Sequence, residues 1–200
     1  MLVLDLDGTV YPQDSALTDM IDTRTAAFFL ERAGLDTPEL TALEVERPSV
    51  LDALDHLGLS RFDWARAVYA DLPYTEILRP DPRLRAALVR VQVPRVVVTL
   101  APATYARGVL AALGITELVD DLHSVFDSAD VVKDRVYAKL IASQGEAANT
   151  FVIGDNPRLD LAPAAGYGCR CVLVGRTRRP QPYPTYITLM DALASISAGI

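Results

Sequence analysis

The chain has 200 residues, of which 50% are hydrophobic and 22% are charged, values typical of a folded domain with its own core and not of a disordered chain. Lysine and arginine number 19 and aspartate and glutamate 26, for a formal net charge of −7, which disfavours general nucleic-acid binding because that needs a basic surface. Two cysteines are too few for a disulfide scaffold, and no apolar run reaches the roughly 18 residues of a membrane segment. Because the N-terminal residues do not resemble a signal peptide either, we expect a cytoplasmic protein.

Short apolar runs recur along the chain, and the clearest of them end in polar residues. Continuous apolar runs of this length are typical of strands that are buried on both faces, as in a parallel sheet. Four runs fit that pattern, at residues 2–4, 96–98, 151–153 and 171–174. The pair 125–126, ahead of Asp127, is a weaker candidate for a fifth strand.

The segments between these runs show the periodicity of amphipathic helices. Apolar residues at that spacing are Leu84, Leu88 and Val91 in one segment, and Val109, Leu110 and Leu113 in the next. Asn156 and Pro157 are a helix start signal, with the asparagine as the cap, and a last helix is expected over Leu189–Ile196. Strands that alternate with helices in this way predict an α/β fold with a doubly wound, mostly parallel sheet.

The stretch 14–79 breaks this alternation, because it shows helical periodicity and no convincing strand. Its apolar residues at helical spacing include Phe28, Phe29, Val50, Leu51, Leu54, Trp64 and Val68. An ordinary crossover needs only one helix. We therefore interpret 14–79 as an all-helical insert in an α/β core formed by residues 1–13 and 80–200.

Polar residues that could act in catalysis or binding follow several of the predicted strands. Asp5 and Asp7 end the first strand and Thr99 ends the second. Asp155 ends a later strand, and Lys133 follows the weak candidate at 125–126. Because ligand sites of open α/β sheets form at the carboxyl ends of the strands, we expect these side chains to lie close together.

Each of these residue types suits phosphate or metal chemistry. Asp5 and Asp7 occupy positions i and i+2, so they are expected to point to one side, where two carboxylates need a cation or a shared proton. Asp155 would complete an oxygen ligand set for a hard cation such as Mg²⁺. Thr99, with the N–H groups of the turn 100–103, can bind a phosphate oxygen, and Lys133 can neutralise its charge. Each residue alone also fits a structural role, as a turn, a helix cap or a surface lysine.

Taken in order, these residues resemble the haloacid dehalogenase superfamily of phosphohydrolases. The four motifs stand here as Asp5-Leu6-Asp7-Gly8-Thr9, Thr99, Lys133 and Gly154-Asp155-Asn156-Pro157-Arg158-Leu159-Asp160. The insert 14–79 takes the place of the helical cap of that family. Within the superfamily, Tyr11-Pro12 and the segment 78–82 resemble the pyrimidine 5′-nucleotidase branch.

The resemblance implies a Mg²⁺-dependent phosphatase that acts on a small phosphorylated metabolite, with a nucleoside monophosphate as the first candidate. Asp5 would form an aspartyl-phosphate, and Asp7 would act as general acid and then as general base. Mg²⁺ would be held by the carboxylates of Asp5 and Asp155 and by the backbone carbonyl of Asp7. Phosphate would be bound by Thr99, Leu100 and Lys133. Supporting roles would fall to Gly8, Asn156 and Asp160, the last orienting Lys133 or the metal ligands.

Two departures from the family pattern leave other functions open. Leu100 stands where the family usually has asparagine, and Asp134 stands where it usually has proline. Asp134 adds a negative charge near a phosphate site unless it points away. The alternatives are a phosphate-sensing or phosphorylatable domain with little turnover, and a phosphomutase. Asp7 disfavours a dehalogenase, which in this family lacks the second aspartate.

Several remaining features are interpreted as structural. Cys169 and Cys171 are expected to pack rather than bind metal. The arginines of 176–179 are expected to lie in a solvated loop that spans 175–186. The sequence leaves the oligomeric state open between a monomer and a homodimer.

Overall fold

The fold is defined by a computed structural model that describes residues 1–144, 146–177 and 180–196. Over these residues the strands are β1 (Leu2–Leu4), β2 (Arg95–Thr99), β3 (Asp121–Ser124), β4 (Phe151–Gly154), β5 (Arg170–Val174) and β6 (Thr185–Tyr186). The helices are α1 (Ala16–Ala33), α2 (Thr37–Glu46), α3 (Val50–His56), α4 (Arg61–Tyr69), α5 (Tyr74–Ile77), α6 (Pro82–Val89), α7 (Ala103–Ala112), α8 (Asp134–Gln144), α9 (Ala162–Gly166) and α10 (Leu189–Ile196). None of the helices described has the length and apolar character needed to span a membrane.

The strands form one parallel sheet in the order β3-β2-β1-β4-β5-β6. β1 lies inside the sheet, with Val3 opposite Val96 of β2 on one side and Val152 of β4 on the other. The strand order therefore runs outward from β1 in both directions, which confirms the predicted doubly wound architecture. Such a sheet has a crevice at the carboxyl ends of the strands where the order reverses. Asp5 and Asp155 follow β1 and β4 at that point.

Both faces of the sheet are buried, as the continuous apolar runs predict. Leu2 and Leu4 of β1 belong to one core cluster, whereas Val3 between them belongs to a second cluster on the opposite face. This division follows from the alternation of side chains along a strand. A parallel sheet covered on both faces needs apolar residues at consecutive positions.

Helices α1–α5 occupy the chain between β1 and α6, and the described residues from 5 to 94 contain no strand. The Ser15 side chain caps α1 by accepting a hydrogen bond from the Thr18 amide at 3.1 Å. The helix ends at Gly34, which adopts a left-handed φ of 69°. Phe29, Leu51 and Trp64 of these helices join the core cluster that contains Val3. The stretch 14–79 is helical, as predicted.

Two local predictions were wrong. The strand expected at 125–126 is β3, which ends at Ser124, and the apolar pair follows it in a turn. β3 is an edge strand with half-buried or exposed residues, so it lacks the apolar run that marks an interior strand. The loop expected over 175–186 ends in β6, a strand of two residues that is too short to leave a sequence pattern. Arg178 and Arg179 lie outside the described residues.

Candidate active site

Asp5 leaves β1 at the carboxyl edge of the sheet, and both of its carboxylate oxygens are hydrogen-bonded. Oδ1 accepts from the Lys133 ammonium at 2.5 Å, and Oδ2 accepts from the Thr9 hydroxyl at 2.9 Å. The Asp5 amide donates to the Ile153 carbonyl at 2.9 Å and so continues the pairing of β1 with β4. These contacts leave the carboxylate with a single orientation toward the crevice.

Lys133 reaches Asp5 from the start of α8 and is itself only 2% exposed. Its ammonium also donates to Asp160 Oδ1 at 2.7 Å. Burial alone would lower the pKa of Lys133, but the charges of Asp160 and Asp5 outweigh it and hold the pKa well above its ordinary value. Lys133 is therefore a permanent cation between two carboxylates. The predicted surface alternative for this lysine is wrong.

Asp5, Asp155 and Asp160 bring carboxylate oxygens within 4.8 Å of one another. Burial, followed by the charges of Asp5 and Asp160, raises the pKa of Asp155 to about 8. Burial likewise raises the pKa of Asp160 to about 6. Oxygen atoms of this kind are the donors that Mg²⁺ prefers, and the unfavourable charge density fits a cation site. Both oxygens of Asp160 already accept hydrogen bonds, from Lys133 and from the Asn156 amide at 2.9 Å, as both oxygens of Asp5 do from Lys133 and Thr9.

Asp7 has partners of its own, separate from this cluster. β1 ends at Leu4, so Asp5 and Asp7 follow the strand, and both side chains line the same cavity. Asp7 Oδ1 accepts from the hydroxyls of Tyr11 at 2.5 Å and Tyr105 at 3.1 Å. Burial and then the charge of Asp5 raise the pKa of Asp7 to about 6. A carboxyl with that pKa can be protonated or ionised near neutral pH.

Two close approaches explain the glycines of the first and last motifs. Gly8 adopts a φ of 81°, and a Cβ at this position would lie 2.8 Å from the Asp155 Cγ. A Cβ on Gly154 would lie 2.5 Å from the Asp160 Cβ. Only glycine lets the backbone come this near to the two carboxylates.

Thr99 ends β2 and is 1% exposed. Its hydroxyl accepts from the Ala101 amide at 3.0 Å and lies 3.4 Å from Asp7 Oδ2. The Ala103 amide donates to Asp127 at 2.8 Å, so two amides of the turn expected to bind phosphate already have partners. This corrects the expectation that the whole turn 100–103 is available.

Leu100 and Asp134 occupy the two positions that depart from the family pattern. Leu100 lines the cavity above Asp5 and offers an apolar side chain there. Asp134 accepts from the Tyr167 hydroxyl at 3.2 Å, so its carboxylate is turned away from Lys133 and toward α9. Asp134 is not among the residues that line the cavity above Asp5, so the added charge lies outside that cavity.

A cavity of about 270 Å³ opens above these residues and extends under helices α1–α4. Its lining contains every predicted site residue except Gly8, whose backbone lies close to the Asp155 side chain. The helices contribute Thr18, Asp22, Thr25, Glu44, Trp64 and Tyr69. Burial raises the pKa of both Asp22 and Glu44. The charge of a neighbouring carboxylate raises each pKa further, Asp19 acting on Asp22 and Asp22 on Glu44. The far end of the cavity thus combines mostly apolar walls with two carboxyl groups.

Several residues of the site were missed by the motif search. Thr9 is the last residue of the first motif but was given no role there, and its contact with Asp5 could have been inferred from its position. Tyr105 lies 98 positions from Asp7 on a buried helix face, and it carries no sequence signal beyond an aromatic in an apolar pattern. Asp22 and Glu44 look like ordinary surface acids of α1 and α2.

The chain matches the family of haloacid dehalogenase-like hydrolases over residues 2–164. It belongs to this family. It is also 29% identical over 189 residues to a 5′-nucleotidase from Pseudomonas aeruginosa, with 87% of this chain and 81% of the relative covered. Membership confirms the family that the four motifs predicted.

Solved structures of the same family share its fold. A haloacid dehalogenase-like hydrolase from Streptococcus pneumoniae has a TM-score of 0.64 at 17% identity, covering 98% of this chain and 97% of the other. An L-2-haloacid dehalogenase from Xanthobacter autotrophicus has a TM-score of 0.58 at 19% identity, covering 100% and 98%. At these identities the likeness establishes the α/β fold and says nothing of the reaction.

Proposed function

We propose that this family member is a Mg²⁺-dependent phosphatase that hydrolyses a small phosphomonoester through an aspartyl-phosphate on Asp5. The observation that carries the proposal is the buried contact of Asp5 with Lys133, at 2.5 Å, beside a second carboxylate at Asp155. A nucleophile that attacks a phosphate dianion needs cations on both sides of the transferred group. Lys133 supplies one of these positive charges. A metal cation bound by the carboxylate cluster would supply the second.

The donor set suits Mg²⁺ by its chemistry. We assign the carboxylates of Asp5 and Asp155 and the backbone carbonyl of Asp7 as its ligands. When bound, Mg²⁺ would offset the repulsion between the phosphate and the attacking carboxylate. The same charge would favour the ionised form of Asp155, whose pKa is raised to about 8 by burial and then by the charges of Asp5 and Asp160.

The side chains divide the reaction among them. An oxygen of Asp5 attacks phosphorus while the bond to the leaving oxygen breaks, and the Asp7 carboxyl gives its proton to that oxygen. Asp7, now ionised, then takes a proton from the water that attacks the aspartyl-phosphate. Thr99 and Lys133 hold the phosphoryl oxygens, and Leu100 packs beside them. A pKa of about 6 lets Asp7 serve both as acid and as base.

Helices α1–α5 would act as a cap over the cavity and contact the leaving group. Side-chain hydrogen bonds tie them to loops of the sheet, including the following. The Arg61 guanidinium donates to the Ser128 carbonyl at 2.9 Å, the Arg158 guanidinium donates to the Val45 carbonyl at 2.7 Å, and Ser49 donates to the Val131 carbonyl. We propose a nucleoside monophosphate as the first substrate to test, supported by the nucleotidase relative and by Tyr11-Pro12.

The test is phosphate release from p-nitrophenyl phosphate and from a panel of nucleotide and sugar monophosphates. It is run with Mg²⁺, with chelator, and with Asp5→Asn against the matched surface variant Asp55→Asn. Release that needs both Mg²⁺ and Asp5 supports the proposal, and full activity in Asp5→Asn contradicts it. Isomerisation of a sugar phosphate without release would indicate a phosphomutase. A long-lived aspartyl-phosphate without turnover would indicate a phosphorylatable domain.

A further inference from the structure

Two tyrosine hydroxyls converge on a single oxygen of Asp7. Oδ1 lies 2.5 Å from the Tyr11 hydroxyl and 3.1 Å from the Tyr105 hydroxyl, and the two hydroxyls are 3.0 Å apart. Both tyrosines are buried, at 2% and 4% exposure. Buried hydroxyls need such contacts, so the three groups form one hydrogen-bonded unit.

The hydroxyl protons of the two tyrosines give the two oxygens of Asp7 different hydrogen-bonding roles. Tyr11 has one proton, and its short contact directs that proton to Oδ1. Tyr105 donates either to Oδ1 or to the Tyr11 oxygen. In both arrangements Oδ1 is an acceptor, so a proton placed on it would require a tyrosine hydroxyl to turn away. Among the described residues, Oδ2 accepts a single and longer hydrogen bond, from the Thr99 hydroxyl at 3.4 Å.

We propose that Tyr11 and Tyr105 are positioning residues that hold Asp7 by Oδ1, so that Oδ2 carries the proton exchanged with the leaving group. The inference rests on the proposed phosphatase function and specifies how its general acid is placed. Neither tyrosine touches the reacting atoms. Both act through the orientation of Asp7, whose own side chain would otherwise rotate about the bond to its Cβ.

The helices over the cavity support this arrangement from outside. The ring of Tyr69, on α4, lies 4.7 Å from the ring of Tyr105. Tyr69 also lines the cavity for the leaving group. Tyr74 packs against Tyr105 edge to face, with ring centroids 5.9 Å apart. The position of Tyr105, and through it that of Asp7, therefore depends on packing from α4 and α5.

Substrates whose leaving groups differ in basicity can distinguish a role of the tyrosines in positioning Asp7 from a general loss of active-site structure. In the first step the proton of Oδ2 moves to the leaving oxygen as its bond to phosphorus breaks and the Asp5–phosphorus bond forms. An alkoxide needs that proton, whereas p-nitrophenolate leaves without it. Because kcat/KM covers only the steps up to formation of the aspartyl-phosphate, it isolates this proton transfer from the later attack of water.

The experiment measures kcat/KM for Tyr11→Phe, Tyr105→Phe and the double variant. The substrates are p-nitrophenyl phosphate and the alkyl monophosphate that the wild type hydrolyses best. Phenylalanine keeps each ring and its packing, and Tyr74→Phe is the matched control because Tyr74 packs in the same cluster without contacting Asp7. We expect the double variant to lose about 10- to 100-fold on the alkyl substrate and less than about 3-fold on p-nitrophenyl phosphate.

Equal losses on both substrates would overturn the inference, because they would show a general structural effect. An unchanged kcat/KM on the alkyl substrate would overturn it as well. Either result, with wild-type hydrolysis that still requires Asp5, leaves the phosphatase proposal standing. Absence of hydrolysis by the wild type on every substrate would overturn both. If one single variant fails to fold, the other gives the same comparison through the other hydroxyl.

Discussion

The Lys133 ammonium lies 2.5 Å from Asp5 Oδ1, although the two residues are 128 positions apart in the chain. The contact crosses from the start of α8 to the end of β1, and neither side chain has much exposure to solvent. A lysine in this place neutralises the carboxylates of Asp5 and Asp160 and is also the natural partner of a phosphate. The same side chain thus balances the charge of the buried carboxylates and serves the proposed reaction.

Replacing Lys133 by methionine should destabilise the protein, because Asp5 and Asp160 would be left buried without a counter-ion. We expect the free energy of unfolding to fall by about 3 kcal/mol at pH 7.5. The loss should be smaller at pH 5, where the carboxyls can take up protons. Urea titration measures both values. Lys139→Met, at an exposed position of the same helix, should change the free energy by less than about 0.5 kcal/mol. Equal effects of the two variants would contradict this view of Lys133.

Asp155 should make the response to Mg²⁺ depend on pH. Its pKa is raised from 3.8 to about 8 in the fold, so between these values the folded protein holds a proton that the unfolded chain has lost. The metal-free protein should therefore lose stability as pH rises through this range. Mg²⁺ must displace that proton, so the shift in melting temperature caused by Mg²⁺ should grow from pH 6 to pH 8.

Asp155→Asn supplies the control for this pH dependence. Removing one buried carboxylate should stabilise the protein in chelator by about 1 kcal/mol. It should also abolish the response to Mg²⁺, which in the wild type reaches about 2.7 kcal/mol at a hundredfold excess over Kd. A variant that keeps the wild-type response to Mg²⁺ would exclude Asp155 as a ligand.

Gly8→Ala should weaken the response to Mg²⁺ in addition to the loss of stability that its backbone strain causes. The new Cβ would press on the Asp155 carboxylate, and the φ of 81° disfavours any side chain. Gly34→Ala is the matched control, since Gly34 has a φ of 69° and no atom within 4 Å of the added Cβ. We expect each variant to lose about 1 kcal/mol of stability from strain. Melting curves with and without Mg²⁺ should show a reduced metal response in Gly8→Ala alone.

The acidic end of the cavity should select leaving groups by charge. Asp22 and Glu44 line it, and the described lining contains no cation other than Lys133. Monophosphates with a neutral leaving group should therefore be preferred over those that carry a second phosphate or a carboxylate. Asp22→Asn should raise kcat/KM for the anionic substrates by about 5-fold. Glu31→Gln, which removes an exposed acid of the same helix, should leave the ratio unchanged.

The fold could be predicted from the sequence wherever burial leaves a pattern. β1, β2, β4 and β5 are interior strands with continuous apolar runs, and the helices of 14–79 show their periodicity and their glycine and proline boundaries. β3 and β6 lie at or near the sheet edges and carry no such run. The division between core and cap stays a prediction, because helical content alone does not define a separate unit.

The sequence by itself determined which side chains follow the strands, and hence that Asp5, Thr99, Lys133 and Asp155 meet at one edge of a parallel sheet. This is possible because the chain itself shows which residue follows each strand, and the alternation of strands with helices favours a parallel sheet. Only the tertiary structure decided the partners of each group. Asp7 joins Tyr11 and Tyr105 instead of the carboxylate cluster, and Asp134 turns toward Tyr167. These choices depend on distances between elements that are far apart in sequence, and packing of whole helices sets those distances.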